Sequence, residues 1–354
     1  MKPRSFNLLV ILALFLSLLG SAVTVTPARA ASFTVNTTND TIDANPGNGS
    51  CADSTGNCSL RAAIQEANAL IGADTIILPD GLYTLTLGST LPTVTTTVTI
   101  NGSEASSTII EASTCDPITR PDNCTPANYR VLNVSATGNL TIDKVTIRHG
   151  QCPDQCIPPI GNGEGGGGIK SFGNLTVINS LITNNSSPNT GGGIYGSGTT
   201  QILNSTISNN KAGWVGGGLD IASDTARATI IGSTFLNNFA KAGGGGIEFS
   251  QGISSVINST FSNNGIELYS GGGINNYEST LTVTNSTFSE NRAPNGGGIS
   301  NHLYGTLFLI NNVIANSLVL DGSGTTTDCY LNPLDMIGSS INNLIENSQI
   351  VGFH

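Results

Sequence analysis

Asn179-Ser-Leu-Ile-Thr-Asn-Asn-Ser-Ser-Pro-Asn-Thr-Gly-Gly-Gly-Ile194 holds both signals that decide the fold. A glycine triplet followed by an aliphatic residue occurs six times, ending at Ile169, Ile194, Leu219, Ile247, Ile274 and Ile299, at intervals of 25, 25, 28, 27 and 25 residues. In phase with it runs Asn-Ser-x-Ile or Phe with Asn three residues on: Ile182 with Asn185, Ile207 with Asn210, Phe261 with Asn264 and Phe288 with Asn291. Phe235 with Asn238 belongs to the same series, and Ile314 centres a weaker copy. Between the motifs lie short alternating runs such as Leu175-Thr-Val177-Ile, the period of a strand with one buried face.

A unit this short cannot bury its own apolar face, but stacked on copies of itself it can. Leucine-rich repeats share the length, yet their ladder of leucines is absent. Helical repeats need 3.6-period stripes, and the repeats carry none. The expected fold is all-β: a right-handed parallel β-helix, one repeat per coil, strands pairing between coils ~4.8 Å apart. Less regular coils are expected upstream at Thr75 to Leu78, Tyr83 to Leu87, Val98 to Ile100, Thr108 to Glu111, Arg130 to Val134 and Leu140 to Ile147. Roughly nine to eleven coils fit between Thr75 and the C-terminus. The triplets should supply positive φ at a corner. Asn185, Asn210, Asn238, Asn264 and Asn291 should form an internal amide ladder that satisfies turn backbone groups.

Three segments are expected: a signal peptide at 1–30, an N-terminal segment with a capping helix at 31–74, and the β-helix at 75–354. Met1 to Arg4 is basic, Leu8 to Leu19 is an apolar run broken only by Ser17, and Ala28-Arg29-Ala30 has the small-x-small form of a cleavage site. Twelve apolar residues span roughly 18 Å, short of a ~30 Å hydrocarbon core, so no membrane span is expected after cleavage. Ser59 to Ile71 should be a helix. Leu60, Ala63, Ile64, Ala67 and Ile71 form its apolar face, Ser59 is the N-cap and Gly72 the stop. That face should close the open end of the first coil.

Only 10% of residues are charged, the net charge is −10, and Lys and Arg together number 13. Nucleic acid is therefore excluded as a partner, since phosphate contacts need clustered cations. Polarity comes instead from 44 Gly, 39 Asn and many Ser and Thr. For an exported chain the close cysteine pairs Cys51 and Cys58, Cys115 and Cys124, and Cys152 and Cys156 read as three local disulfides, with Cys329 left over. A zinc site at His149, Cys152 and Cys156 lacks a fourth ligand.

Cys58-Ser-Leu-Arg-Ala-Ala63, with Phe33-Thr-Val-Asn-Thr-Thr-Asn-Asp40 before it and Gly72-Ala-Asp-Thr-Ile-Ile-Leu-Pro79 and Gly81-x-Tyr83 after it, resembles the CSLREA domain of exported bacterial β-helix proteins. The family's glutamate, which would complete a capping box, is Ala62 here. The coils are similar to the repeats of chlamydial polymorphic outer-membrane proteins, with F-x-x-N at Phe235, Phe261 and Phe288 and Gly in place of the usual alanine of GGA. The resemblance implies a secreted or surface-associated scaffold, structural or adhesive, with a polysaccharide or cell-surface glycan as partner. The alternative, by analogy of fold, is a polysaccharide lyase or glycoside hydrolase like those built on the pectate-lyase-like β-helix. Whether the chain is an enzyme stays open at this stage: the coils hold few, scattered acids, and GxSxG and HExxH are absent.

The residue after each triplet aliphatic should point outward. Down the coils these are Lys170, Tyr195, Asp220, Glu248, Asn275 and Ser300. Asp220 and Glu248, on adjacent coils, are the candidate catalytic acid and base or, failing that, calcium ligands; no other cofactor is implied. Lys170, Tyr195 and Trp214, the single tryptophan, are candidate ligand contacts.

Overall fold

A computed structural model describes residues 30–121, 124–153, 156, 165–319, 326–332 and 335–350. The expected signal peptide, up to residue 29, lies outside the described residues.

The chain is a parallel β-helix with four sheets. Sheet I has 11 strands, sheet II has 10, sheet III has 9 and a short sheet IV has 4; within each, the strands stack in the order of the coils. A single coil shows how sequence becomes shape. Asn174–Ile178 lies in sheet I, Leu181–Thr183 in sheet II, Ser186–Ser187 in sheet IV and Ile194–Gly196 in sheet III. Leu175 and Val177 point inward and are buried, as alternation requires.

In sheet II register is kept residue for residue through the repeats. Ile182, Ile207, Phe235, Phe261, Phe288 and Ile314 are successive partners in sheet II. The rings of Phe235 and Phe261 stack at 5.0 Å and those of Phe261 and Phe288 at 4.6 Å, each pair 6° from parallel. The first glycine of every triplet takes positive φ, from 57° at Gly296 to 87° at Gly166. The asparagine of each Asn-Ser pair does the same at Asn179, Asn204, Asn258 and Asn285, as does Asn311 of the weaker Asn-Asn copy, with Gly232 in that place once. These left-handed residues turn the chain from sheet I into sheet II.

Asn185, Asn210, Asn238, Asn264 and Asn291 are buried and bonded in series. The Asn238 Nδ2 group donates to Asn264 Oδ1 at 3.0 Å and to the Ile207 carbonyl at 2.8 Å, and the Asn238 backbone N–H donates to the same Asn264 oxygen. Equivalent bonds join 185 to 210, 210 to 238 and 264 to 291.

The helix α1, Leu60–Ala69, covers the first coil and shares one apolar core with it through Leu60, Ala63, Ile64 and Ala67. Ser59 Oγ accepts the Ala62 N–H at 3.1 Å. The helix stops earlier than its periodicity suggested. Leu70 is already extended, so Ile71, expected on the buried face, is 77% exposed. The stretch Leu140 to Ile147 also divides, into Asn139–Asp143 and Thr146–Arg148, because Lys144 takes φ 57° between them. Ser32–Thr34 is the outermost strand of sheet I and pairs with Ala73–Leu78, which joins the 31–74 segment to the solenoid.

Buried polar contacts anchor the cap. Arg61 pairs with Asp40 at 2.6 Å, and Glu66 accepts the N–H groups of Gly47 and Gly49. Disulfides join Cys51 to Cys58, Cys115 to Cys124 and Cys152 to Cys156, and Cys329 is a buried free thiol. The Cys152–Cys156 bond removes both sulfurs from any zinc set, and His149 Nδ1 lies 2.9 Å from the Ser113 carbonyl.

Candidate functional site

The outward face of sheet III carries two rows of side chains. Lys170, Tyr195, Asp220, Glu248, Asn275 and Ser300 are register partners in that order. Two residues further along stand Tyr277 and His302 on their strands and Ser250 just past the end of Ile247–Phe249. These rows are not bare surface. The loop entering each triplet runs beside them, and Val215, Gly243, Ser270 and Asn295 of successive loops pair in a parallel ladder of their own. Asp220, Glu248, Asn275 and Ser300 point out of the coil, as alternation requires, yet are buried.

Between loop ladder and sheet opens a cleft of about 450 Å³, lined by Trp214, Tyr269, Glu248, Asn275, Tyr277 and His302 among others. Trp214 is 45% exposed and Tyr269 58%, and their rings meet edge to face at 6.3 Å. Exposed aromatics in this arrangement present flat apolar walls to a ligand. Gly243 permits close packing here, since a Cβ on it would lie 2.8 Å from Glu248 Oε2.

Burial sets the charge of the floor. It pushes the Asp220 carboxyl up to about 7, against hydrogen bonds from the Thr190 and Ser250 hydroxyls that favour ionisation. Burial, reinforced by Asp220, holds Glu248 well above the usual range, although Asn275 Nδ2 donates to both its oxygens at 2.9 and 3.1 Å. Glu248 lines the cleft, and Asp220, its register partner on the neighbouring coil, lies buried behind it outside the lining; burial favours the neutral form of both. Asp220 Oδ1 and Asn275 Oδ1 are buried with no hydrogen-bond partner. A calcium ion needs six to eight oxygens around one point. Here the oxygens come one side chain per coil, and the described residues hold no cluster of three or more His, Cys, Asp or Glu.

Of the candidate ligand contacts, Trp214 lines the cleft and the other two do not. Tyr195 is buried against Phe172 at 6.4 Å, edge to face, and the Lys170 ammonium lies 4.4 Å from the centre of that same ring. Both lie against Phe172 on the earlier coils, away from the cleft. Ser270 and His302, missed in the sequence, meet across the cleft with Oγ 2.5 Å from Nε2. Burial holds the His302 imidazole below its ordinary value. Carrying the alternation one step past Ser300 would have found His302. Nothing in the repeat pattern singles out Ser270 or Tyr269.

Residues 179–197 and 285–302 match the Chlamydia polymorphic membrane protein repeat, each stretch running from an Asn-Ser turn through the next glycine triplet. No curated protein matches the chain. Among solved structures the chain is similar to the pectate lyase Pel9A, at 14% identity over 92% of this chain and 80% of that one, with a TM-score of 0.45. It is also similar to the catalytic unit of a thermostable GH87 α-1,3-glucanase from Streptomyces thermodiastaticus strain HF3-3, at 15% identity over 93% and 71% of the two chains, with a TM-score of 0.32. These likenesses concern the β-helix alone. Among the described residues no helix is long and apolar enough to cross a membrane. The chain is a disulfide-containing parallel β-helix, two stretches of which match the polymorphic membrane protein repeat, and the cleft on sheet III is its candidate binding site.

Proposed function

We propose that this protein is an exported β-helix scaffold, adhesive or structural at a cell surface, that binds polysaccharide in the sheet III cleft. The observation that carries the proposal is the Trp214–Tyr269 pair: two exposed rings above a buried polar floor, in a cleft of oligosaccharide size. Export rests on the signal-peptide pattern of residues 1–30 and on three disulfides. The lining contains Glu248 and no Lys or Arg, so a polyuronate would set its carboxylates against the floor without a counter-charge. Neutral glycans are the matching class. A glycan array read with and without calcium tests this. Binding to neutral chains, unchanged by chelation, is expected; no glycan retained, or retention of polyuronates alone, would refute it.

Glycoside hydrolysis is the second reading, and one observation favours it: the Asp220–Glu248 pair, with a protonated carboxyl at the cleft floor. Release of reducing ends from a bound neutral glycan, abolished by Glu248→Gln, would establish it.

A further inference from the structure

Ser270 and His302 come from different parts of neighbouring coils. Ser270 lies in a loop, bridged to Gly243 and Asn295, and stands directly before Gly271, whose φ is 79°. His302 ends the strand Ile299–His302 and is paired there with Tyr277. Across the cleft, Oγ and Nε2 approach to 2.5 Å, and both residues line the same space as Trp214, Tyr269 and Glu248. The ring of Tyr330, 5.2 Å from the imidazole and tilted by 35°, packs on the side of His302. A serine hydroxyl within hydrogen-bond reach of an imidazole, at the wall of a cleft, is the arrangement that activates an oxygen nucleophile.

Resting on the glycan-binding assignment of this cleft, we propose that Ser270 and His302 are a nucleophile and general base that hydrolyse acyl esters, O-acetyl groups foremost, carried by the bound polysaccharide. His302 Nε2 takes the Ser270 proton as Oγ forms its bond to the acyl carbon. The bond from that carbon to the sugar oxygen then breaks, and the sugar hydroxyl leaves with the proton from His302. Water, losing a proton to His302, attacks the acyl-serine; the carbon–Oγ bond breaks, Ser270 regains its proton, and the carboxylic acid departs. A base must be neutral to begin this cycle, and burial keeps His302 so near pH 7.

The test uses the full chain, with acetylated xylo-oligosaccharides, p-nitrophenyl acetate and a fluorophosphonate label. Acetate release is expected, together with labelling that peptide mapping places on Ser270. Ser270→Ala should lose both, with a fall in rate of about 1000-fold. His302→Gln should lower kcat and remove the acidic limb of the pH profile, which a merely structural contact would not shape. A wild-type protein that binds deacetylated xylo-oligosaccharides, releases no acetate and takes no label on Ser270 overturns this proposal and leaves glycan binding standing. Labelling of Ser270 with p-nitrophenyl acetate turnover, but without binding of any oligosaccharide, supports the dyad and refutes the glycan-binding assignment instead.

Discussion

Asp220 and Glu248 are register partners on adjacent coils, both buried, and neither takes part in an ion pair among the described residues. The raised Asp220 carboxyl makes stability depend on pH with a definite sign. The folded state holds a proton up to about pH 7, whereas the unfolded carboxyl releases it near 3.8. Stability from this group is full below 3.8 and is lost as pH rises through the interval to about 7. The loss amounts to at most about 4 kcal/mol. Denaturant melts of the wild type and Asp220→Asn at pH 4, 5.5 and 7.5 check it. The variant should lie below the wild type at pH 4 or close to it, and should gain relative to it as pH rises.

The Asn238 amide bonds to Asn264 and to the Ile207 carbonyl, and its own oxygen receives Asn210. Asn238→Leu leaves buried partners on two coils unsatisfied and should cost about 1–3 kcal/mol. Thr260→Ala, at an exposed outward position of sheet II, should change stability by less than about 0.5 kcal/mol. Urea midpoints of the two variants decide between a buried ladder and a surface one.

Most of this ladder was legible because the constraint is local and repeats: a motif recurring at the coil period must occupy one corner, and the interior follows. The outward row from Lys170 to Ser300 was likewise given by alternation alone. Burial of that row was not legible. It depends on loops without a shared pattern, such as the one that brings Trp214 and the one that brings Tyr269, folding back over the strands. Ser270 and His302 are 32 residues apart in the chain and meet only after a full coil, so alternation points to His302 but no local spacing marks its pairing with Ser270. The end of α1 was missed for a related reason. Ile71 continues the apolar stripe, but the chain must turn into the strand at Ala73 before Ile71 can use it.

Two glycines with different constraints should respond differently. A Cβ at Gly193 would lie 2.6 Å from the Gly218 carbonyl oxygen, where stacked backbones leave no room. Gly193→Ala should therefore cost about 1–3 kcal/mol. Gly232 stands, at φ 59°, where other coils place a left-handed Asn, and the atom nearest its missing Cβ is the Asn204 side-chain oxygen. Gly232→Asn should be tolerated within about 0.5 kcal/mol, since Asn accepts this conformation and the Asn204 side chain is free to move. Thermal melts of both variants give the comparison.

Cys329 is the one free thiol, buried, and both burial and the neighbouring Asp328 push it up from its ordinary value. The thiol should resist an aromatic disulfide reagent in the native protein and react with a stoichiometry of one in guanidinium. Peptide mapping without reduction should recover the linked pairs Cys51–Cys58, Cys115–Cys124 and Cys152–Cys156.

Trp214 is the single tryptophan of the chain, and it stands at the mouth of the cleft, 45% exposed beside Tyr269. Its fluorescence therefore reports on the mouth of the proposed glycan site. Titration of the full chain with neutral oligosaccharides of increasing length should give a saturable blue shift in emission as sugar rings displace water from the indole. Tyr269→Ala should weaken the apparent Kd by about tenfold, or roughly 1.4 kcal/mol. An emission spectrum unchanged at saturating concentrations of a glycan that the protein demonstrably retains would place binding elsewhere on the solenoid and contradict the assignment of this cleft.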